Sequence, residues 1–308
     1  MAPSPGLRPS INNTLGVRLE SLLGATSPEA RLLADPIVFP RRYTQLDDIE
    51  VAAVFASGLA FGRVASFTPV IAAILDQADA HGGPAAWVDG FSAAHASPLA
   101  PLRYRWMDGA DFALLAATLG EFRRGDVSLG QALTDLDDPT HATIGDALDG
   151  LILALRRCAM TVAQVDEWSA LPRGFRYFLP RPTGGSACKR WCMMLRWMVR
   201  RPGPGAAGID MGVWSDISPS RLVMPLDTHV HRLGRLLGLT RRKDASWKTA
   251  LDITASLRTL SPEDPLRHDF ALAHLGISGT CRGTWHEDVC TPCPLRPVCT
   301  EGSGPPIP

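Results

Sequence analysis

Four cysteines near the C-terminal end, Cys281, Cys290, Cys293 and Cys299, follow the spacing C-x8-C-x2-C-x5-C within nineteen residues. Thiolates are soft ligands, and a C-x2-C pair flanked by two outlying cysteines lets one loop wrap a compact centre. Structural zinc more often takes two separated C-x2-C knuckles, so the spacing predicts a [4Fe–4S] cluster ahead of zinc. Disulfides fit poorly, because seven cysteines in 308 residues is not the density of a small stapled domain. Cys158, Cys188 and Cys192 read as buried free thiols.

A second candidate centre is Gly184-Gly185-Ser186-Ala187-Cys188-Lys189-Arg190, a glycine turn running straight into a helix. Backbone N–H groups at such a helix start can hold one phosphate without reading base sequence. Lysine is scarce, with Lys189, Lys243 and Lys248 the only three. An amine depressed by neighbouring cations can form a Schiff base, which an always-protonated guanidinium cannot. Lys189 is therefore a candidate nucleophile, with a plain phosphate contact as the simpler role. Further on, Asp227 in Pro225-Leu-Asp-Thr-His-Val-His231 stands where a helix should begin, the ordinary place for an N-cap. Asp227, His229 and His231 also match the D-x-H-x-H metal motif of amidohydrolases, which opens an eight-unit β/α barrel. Only 77 residues follow His231, and on a helix the two histidines would point about 200° apart. The metallohydrolase reading is the weaker one.

Formal net charge is zero, yet Gly184 to Lys243 holds eleven Lys/Arg against three acids, a segment of +8 that leaves −8 for the remainder. A basic stripe on an otherwise acidic molecule is the footprint of a polyanion-binding face; a solvated basic surface is the plainer alternative. Arg190, Arg196, Arg200 and Arg232 belong to this stripe. The N-terminus lacks an apolar signal region and no run of about 18 apolar residues occurs, so a soluble cytoplasmic protein with no membrane partner is expected.

The elements that must position these residues are helical almost throughout. Apolar residues recur at helical spacing over Asp47–Phe61, Val64–Ala80, Asp111–Arg124, Ser128–Leu136, Ile144–Val165, Ala187–Arg200, Asp227–Leu237, Ser246–Leu260 and Pro265–Ile277. Strand signals are sparse, and Pro/Gly clusters at 181–185 and 201–208 mark loops. Residues 1–16 and 302–308 read as loose tails.

Taken together, a glycine turn with Lys189, an Asp-Thr-His-x-x-Arg helix start and a four-cysteine loop resemble the endonuclease III-like, iron–sulfur branch of the helix-hairpin-helix DNA glycosylases. That family carries L-P-G-V-G-x-K-T-A, V-D-T-H-I-x-R and C-x6-C-x2-C-x5-C. Gly185 and Lys189 match its hairpin glycine and lysine nucleophile; Asp227, Thr228, His229 and Arg232 match its catalytic-aspartate segment. Ala187–Arg190, Leu195–Val199 and Pro225–His231 are also similar to stretches of a bacterial subfamily of that superfamily.

The resemblance implies an all-α, two-lobed helix-hairpin-helix glycosylase fold with a C-terminal iron–sulfur loop. Residues 40–204 would form a helical barrel ending in the hairpin, and 17–39 plus 205–301 the cluster domain. It implies a monomeric base-excision repair enzyme, nucleoid-associated when bound, that flips a damaged or modified base out of double-stranded DNA. Asp227 and Lys189 would be catalytic, the latter adding abasic-site lyase activity. Gly184, Gly185, Ser186, Arg190, Arg196, Arg200, His229 and Arg232 would contact DNA, and Cys281, Cys290, Cys293 and Cys299 would hold the cluster. The chain departs from the pattern in three places: Ala187 replaces the second hairpin glycine, the lysine-to-aspartate gap is about twenty residues longer, and no glutamine matches near Leu59–Arg63, where Phe61 or Arg63 is a candidate wedge. A non-catalytic DNA-binding iron–sulfur protein, a lysine-independent glycosylase and a redox relay remain the alternatives.

Overall fold

The computed structural model describes residues 9–24, 32, 35–201, 209–277 and 281–302. In chain order its helices are α1 (Pro9–Gly24), α2 (Leu46–Leu59), α3 (Val64–Asp79), α4 (Pro84–Asp89) and α5 (Ala93–Ala96). A minimal antiparallel hairpin follows, β1 (Arg103–Tyr104) and β2 (Met107–Asp108), pairing Tyr104 with Met107. Then come α6 (Gly109–Arg123), α7 (Leu129–Asp135), α8 (Gly145–Ala163), α9 (Arg173–Arg176), α10 (Lys189–Val199), α11 (Thr228–Leu236), α12 (Trp247–Arg258), α13 (Asp269–Ile277) and α14 (Glu287–Cys290). The protein is thus mostly helical, and each helix expected from periodicity is present.

The chain divides into two compact units, Leu32–Gly184 and Met1–Arg31 with Gly185–Pro308. In the first, α6 packs on α8 through Phe112, Leu115, Leu119, Leu148, Leu151 and Leu155, all buried. Local chemistry starts its helices: the Asp108 carboxylate caps α6 by accepting from the Ala110 and Asp111 N–H groups. Glu50 of α2, almost fully buried, accepts the Leu129 and Gly130 N–H groups at 2.7 and 3.0 Å and so caps α7 from across the fold. Asp149 of α8 accepts from Thr183 N–H and Oγ1 and pairs with Arg181, which fixes the chain just ahead of the glycine turn. Burial pushes the Asp149 carboxyl up, but Arg181 and Thr183 together hold it below the usual carboxylate range.

The second unit contains α1 and α10–α14. Residues 9–16, expected as a loose tail, instead form the first half of α1, which buries Leu15, Leu19, Leu22 and Leu23. Those leucines recur at i, i+4, i+7 and i+8, an apolar stripe that must be covered, and this is why the segment folds. The rest of the expected tails, 1–8 and 303–308, lies outside the described residues. Glu20 on the same helix accepts from Arg267 Nε at 2.6 Å and meets His268 Nε2 at 2.8 Å. The Arg267 guanidinium draws the Glu20 carboxyl down to about 2. Helix α10, expected at the end of a barrel spanning 40–204, belongs to this second unit. No helix among the described residues is long and apolar enough to cross a membrane.

Candidate functional site

The glycine turn leads into α10 and has no long helix before it. A 3-10 turn, Pro182–Gly184, preceded by the four-residue α9, leads into Gly185. Gly185 sits at φ +81°, a left-handed conformation that a side chain disfavours. Its carbonyl accepts the Trp247 N–H at 3.2 Å, and Ser186 bridges to Ser246, so the start of α12 fastens the turn. Ser186 Oγ accepts the Cys188 N–H at 3.1 Å, and Cys188, also left-handed, starts α10 without a side-chain cap. Lys189 is half-buried, with Nζ 3.5 Å from Met193 Sδ one turn on.

The α10 part of the basic stripe does not survive folding as a surface. Every residue from Arg190 to Val199 is buried. Arg196, 4% exposed, donates from Nε to Asp210 at 3.2 Å and from Nη1 to Asp269 at 2.6 Å. Arg200, equally buried, pairs through Nη1 with Asp210 at 2.5 Å and through Nε and Nη2 with Asp264 at 3.0 and 2.7 Å. The expectation that Arg196 and Arg200 meet DNA phosphate is therefore corrected, and Arg190, buried on the same helix, goes with them. A buried guanidinium needs a carboxylate, and three aspartates supply it.

Burial pushes the Asp269 carboxyl up and Arg196 pulls it down, while the nearby charge of Asp227 adds a further upward push. Asp269 also lies near Cys192, whose thiol burial raises well above its ordinary value. The network thus reaches from α10 to the start of α11. There Asp227 is the N-cap, its Oδ1 accepting the His229 and Val230 N–H groups at 2.9 and 2.7 Å. Its Oδ2 accepts no hydrogen bond among the described residues. His229 lies against α13 at Gly276, where any larger residue would strike its Cβ and ring. His229 Nδ1 is buried without a hydrogen-bond partner in the described residues. His231 instead meets the Arg242 carbonyl through Nε2 at 3.1 Å. Both histidines stand on a helix, so the strand alternation that a D-x-H-x-H metal site requires is missing.

One turn beyond Asp227, Arg232 donates from Nη2 to the Cys281 carbonyl at 2.7 Å and lies over Gly283. This arginine ties the cysteine loop to α11. Beside it opens a cleft of about 650 Å³ lined by Thr228, His231, Arg232, Arg235, Thr240 and Arg241, with Glu301 its one acid. Arg235 and Arg241 are exposed. Neither was singled out as a site residue from the sequence, although both lie in the counted basic segment.

Cys281, Cys290, Cys293 and Cys299 line one cavity, walled by Leu233, Leu237, Leu275, Val289 and Leu295. Burial pushes the Cys293 and Cys299 thiols up, and each lies within electrostatic reach of the other loop cysteines. The His286 N–H points at Cys290 Sγ, 3.4 Å away. An all-thiol set facing an apolar cavity suits a soft, thiolate-bound centre. Among the described residues no group of three or more His, Cys, Asp or Glu is drawn together as for a single metal ion.

The family model described as "Protein of unknown function (DUF2400)" matches residues 35–278, and the chain belongs to that family. The matched span includes Lys189 and Asp227 and stops short of the cysteine loop. No curated protein and no solved structure matches the chain.

Proposed function

We propose that the protein is a DNA-binding enzyme of base excision, a glycosylase acting on a damaged or modified base in duplex DNA. The observation that carries this reading is the arrangement of α11. Within two turns it presents a carboxylate with one unengaged oxygen, Asp227, a cleft rich in arginine, and the arginine that anchors the four-cysteine loop. Asp227 has both requirements of an electrostatic catalyst. Its position is fixed by two backbone hydrogen bonds, and Oδ2 remains to face positive charge. Glycosidic bond cleavage develops such charge at C1′, and a preorganised carboxylate stabilises it without reorganising. Extruding the base costs a few kcal/mol, least where it is mispaired or damaged. Arg235 and Arg241 would hold the backbone phosphates.

Cys281, Cys290, Cys293 and Cys299 would bind a [4Fe–4S] cluster in this reading. When bound, the cluster supplies a rigid cross-link for a loop with little apolar content of its own. Arg232 then transmits that rigidity to α11 and keeps the cleft wall beside Asp227. Lys189 is the residue that would attack C1′ in a bifunctional enzyme. Its Nζ rests near Met193 Sδ; the second reading is a monofunctional enzyme in which Asp227 alone is essential.

The test is base release from a panel of lesion-bearing duplexes, with borohydride added to capture any Schiff base. Asp227→Asn keeps a cap oxygen and should lower release by orders of magnitude with the melting temperature unchanged. Lys189→Gln should abolish the trapped adduct if the enzyme is bifunctional, and leave release intact if it is not. Undiminished release by Asp227→Asn would defeat the catalytic assignment.

A further inference from the structure

The unit Leu32–Gly184 carries an aromatic surface that the proposed chemistry does not use. Trp106 and Tyr177 are among the few large apolar side chains left exposed, at 50% and 38%. They meet edge to face with ring centroids 5.1 Å apart. Beneath them Phe61 contacts Trp106 at 5.3 Å, Tyr177 at 5.1 Å and Tyr104 at 4.9 Å, and the Tyr104 hydroxyl donates to the Phe61 carbonyl. Isolated exposed aromatics need no explanation, but two packed edge to face on part-buried Phe61 and buried Tyr104 form an apolar step.

The backbone holds that step out. Trp106 is the second residue of the two-residue turn between β1 and β2, and Arg105 before it stands at φ 54°, a left-handed conformation that non-glycine residues seldom adopt. Around the rings, the segments Phe61–Val64, Arg103–Met107 and Arg173–Tyr177 contain five arginines (Arg63, Arg103, Arg105, Arg173 and Arg176); the acids beside them are Asp108, the cross-strand partner of Arg103, and Asp111, which lies against Gly174, and both carboxylates take backbone N–H groups at the start of α6. None of the five forms an ion pair among the described residues, in contrast to the buried arginines of α10. Arg105 itself leans over Phe61, its guanidinium 5.8 Å from the ring centre.

Aromatic faces on segments whose arginines form no ion pair, Arg103 being held by the Ala100 and Leu102 carbonyls, suit a ligand that alternates planar rings with negative charge. We infer that this step binds single-stranded DNA, with bases stacked on Trp106 and Tyr177 and phosphates among the surrounding arginines. Stacking of this kind tolerates any base, because every base has a π-face. The choice of DNA over RNA rests on the function proposed above; the stacking and charge arguments do not.

The experiment is fluorescence anisotropy of a labelled oligo-dT of about fifteen nucleotides with the full-length protein. An abasic oligomer of equal length, oligo-rU and poly-glutamate serve as competitors. Trp106→Ala and Tyr177→Ala should each weaken oligo-dT binding by about tenfold to a hundredfold, at unchanged melting temperature, and Trp106→Phe should keep most of the affinity. The abasic oligomer should compete poorly. The inference is overturned if either alanine variant binds as wild type does. It is also overturned if the abasic oligomer or poly-glutamate competes as well as oligo-dT, or if oligo-rU is preferred. Base release by the Asp227-dependent route is scored separately: its loss with oligo-dT binding intact removes the glycosylase reading alone, and the reverse result removes the stacking step alone.

Discussion

Arg196→Ala separates a buried structural cation from a surface one. The side chain is 4% exposed and serves two carboxylates, Asp210 and Asp269, that are themselves 0% and 2% exposed. Removing it leaves Asp269 without its hydrogen-bonded partner, while Asp210 keeps Arg200 at 2.5 Å. Breaking a buried pair from one side typically costs about 3–5 kcal/mol, and the surviving Arg200 contact argues for the lower end, about 3 kcal/mol. For a unit of this size each kcal/mol shifts the midpoint by about 2–4 °C, so the variant should melt roughly 6–12 °C below wild type. Arg235→Ala is the control, because this exposed cleft arginine should change stability by less than about 0.5 kcal/mol. The assays are thermal melting by circular dichroism and the salt dependence of duplex DNA binding. If Arg235 meets one phosphate, its loss should flatten the slope of log K against log salt by about one. Arg196→Ala, measured well below its melting point, should leave that slope alone. An Arg196→Ala variant that melts with wild type and flattens the slope would refute the buried-network account and restore α10 as a DNA face.

Two further outcomes follow from the geometry. Protein purified anaerobically with adequate iron and sulfide should be brown, with about four irons per chain, the content of a [4Fe–4S] centre; Cys290→Ser should lose iron and raise hydrogen exchange across 281–299 more than in α6 and α8, and stoichiometric zinc in a colourless protein would refute the assignment. Glu20 is held at about 2 against an ordinary 4.5, so its contribution to docking α1 is fully present above the unfolded value and is lost as pH falls from about 4.5 towards 2. Because the carboxylate is nearly half exposed, its removal in Glu20→Gln should cost under about 1 kcal/mol, and acid titrations of wild type and variant should converge at the low end; curves that stay parallel would show the Arg267 contact to be inert.

Much of the helical framework was legible along the chain. Helices such as α8 and α12 stand where apolar residues recur at 3.6-residue spacing, because burying one stripe is a local requirement written in local sequence. Asp227 was legible as an N-cap for the same reason, since its partners are the N–H groups two and three residues on. The leucine stripe of α1 was present as well, but the Pro and Gly residues ahead of it made its first half, residues 9–16, read as a tail. Charge was where linear reading failed. Counting cations from Gly184 to Lys243 could not reveal that Arg196 and Arg200 pair with Asp269 and Asp264, 73 and 64 positions away. Whether an arginine faces phosphate or an internal aspartate depends on which element is packed against it, and that is a property of the tertiary fold. The same holds for Trp106 and Tyr177, distant in sequence and adjacent in space, and for the four cysteines, whose spacing allowed a single centre but whose shared cavity arises only when the loop folds onto α11 and α13.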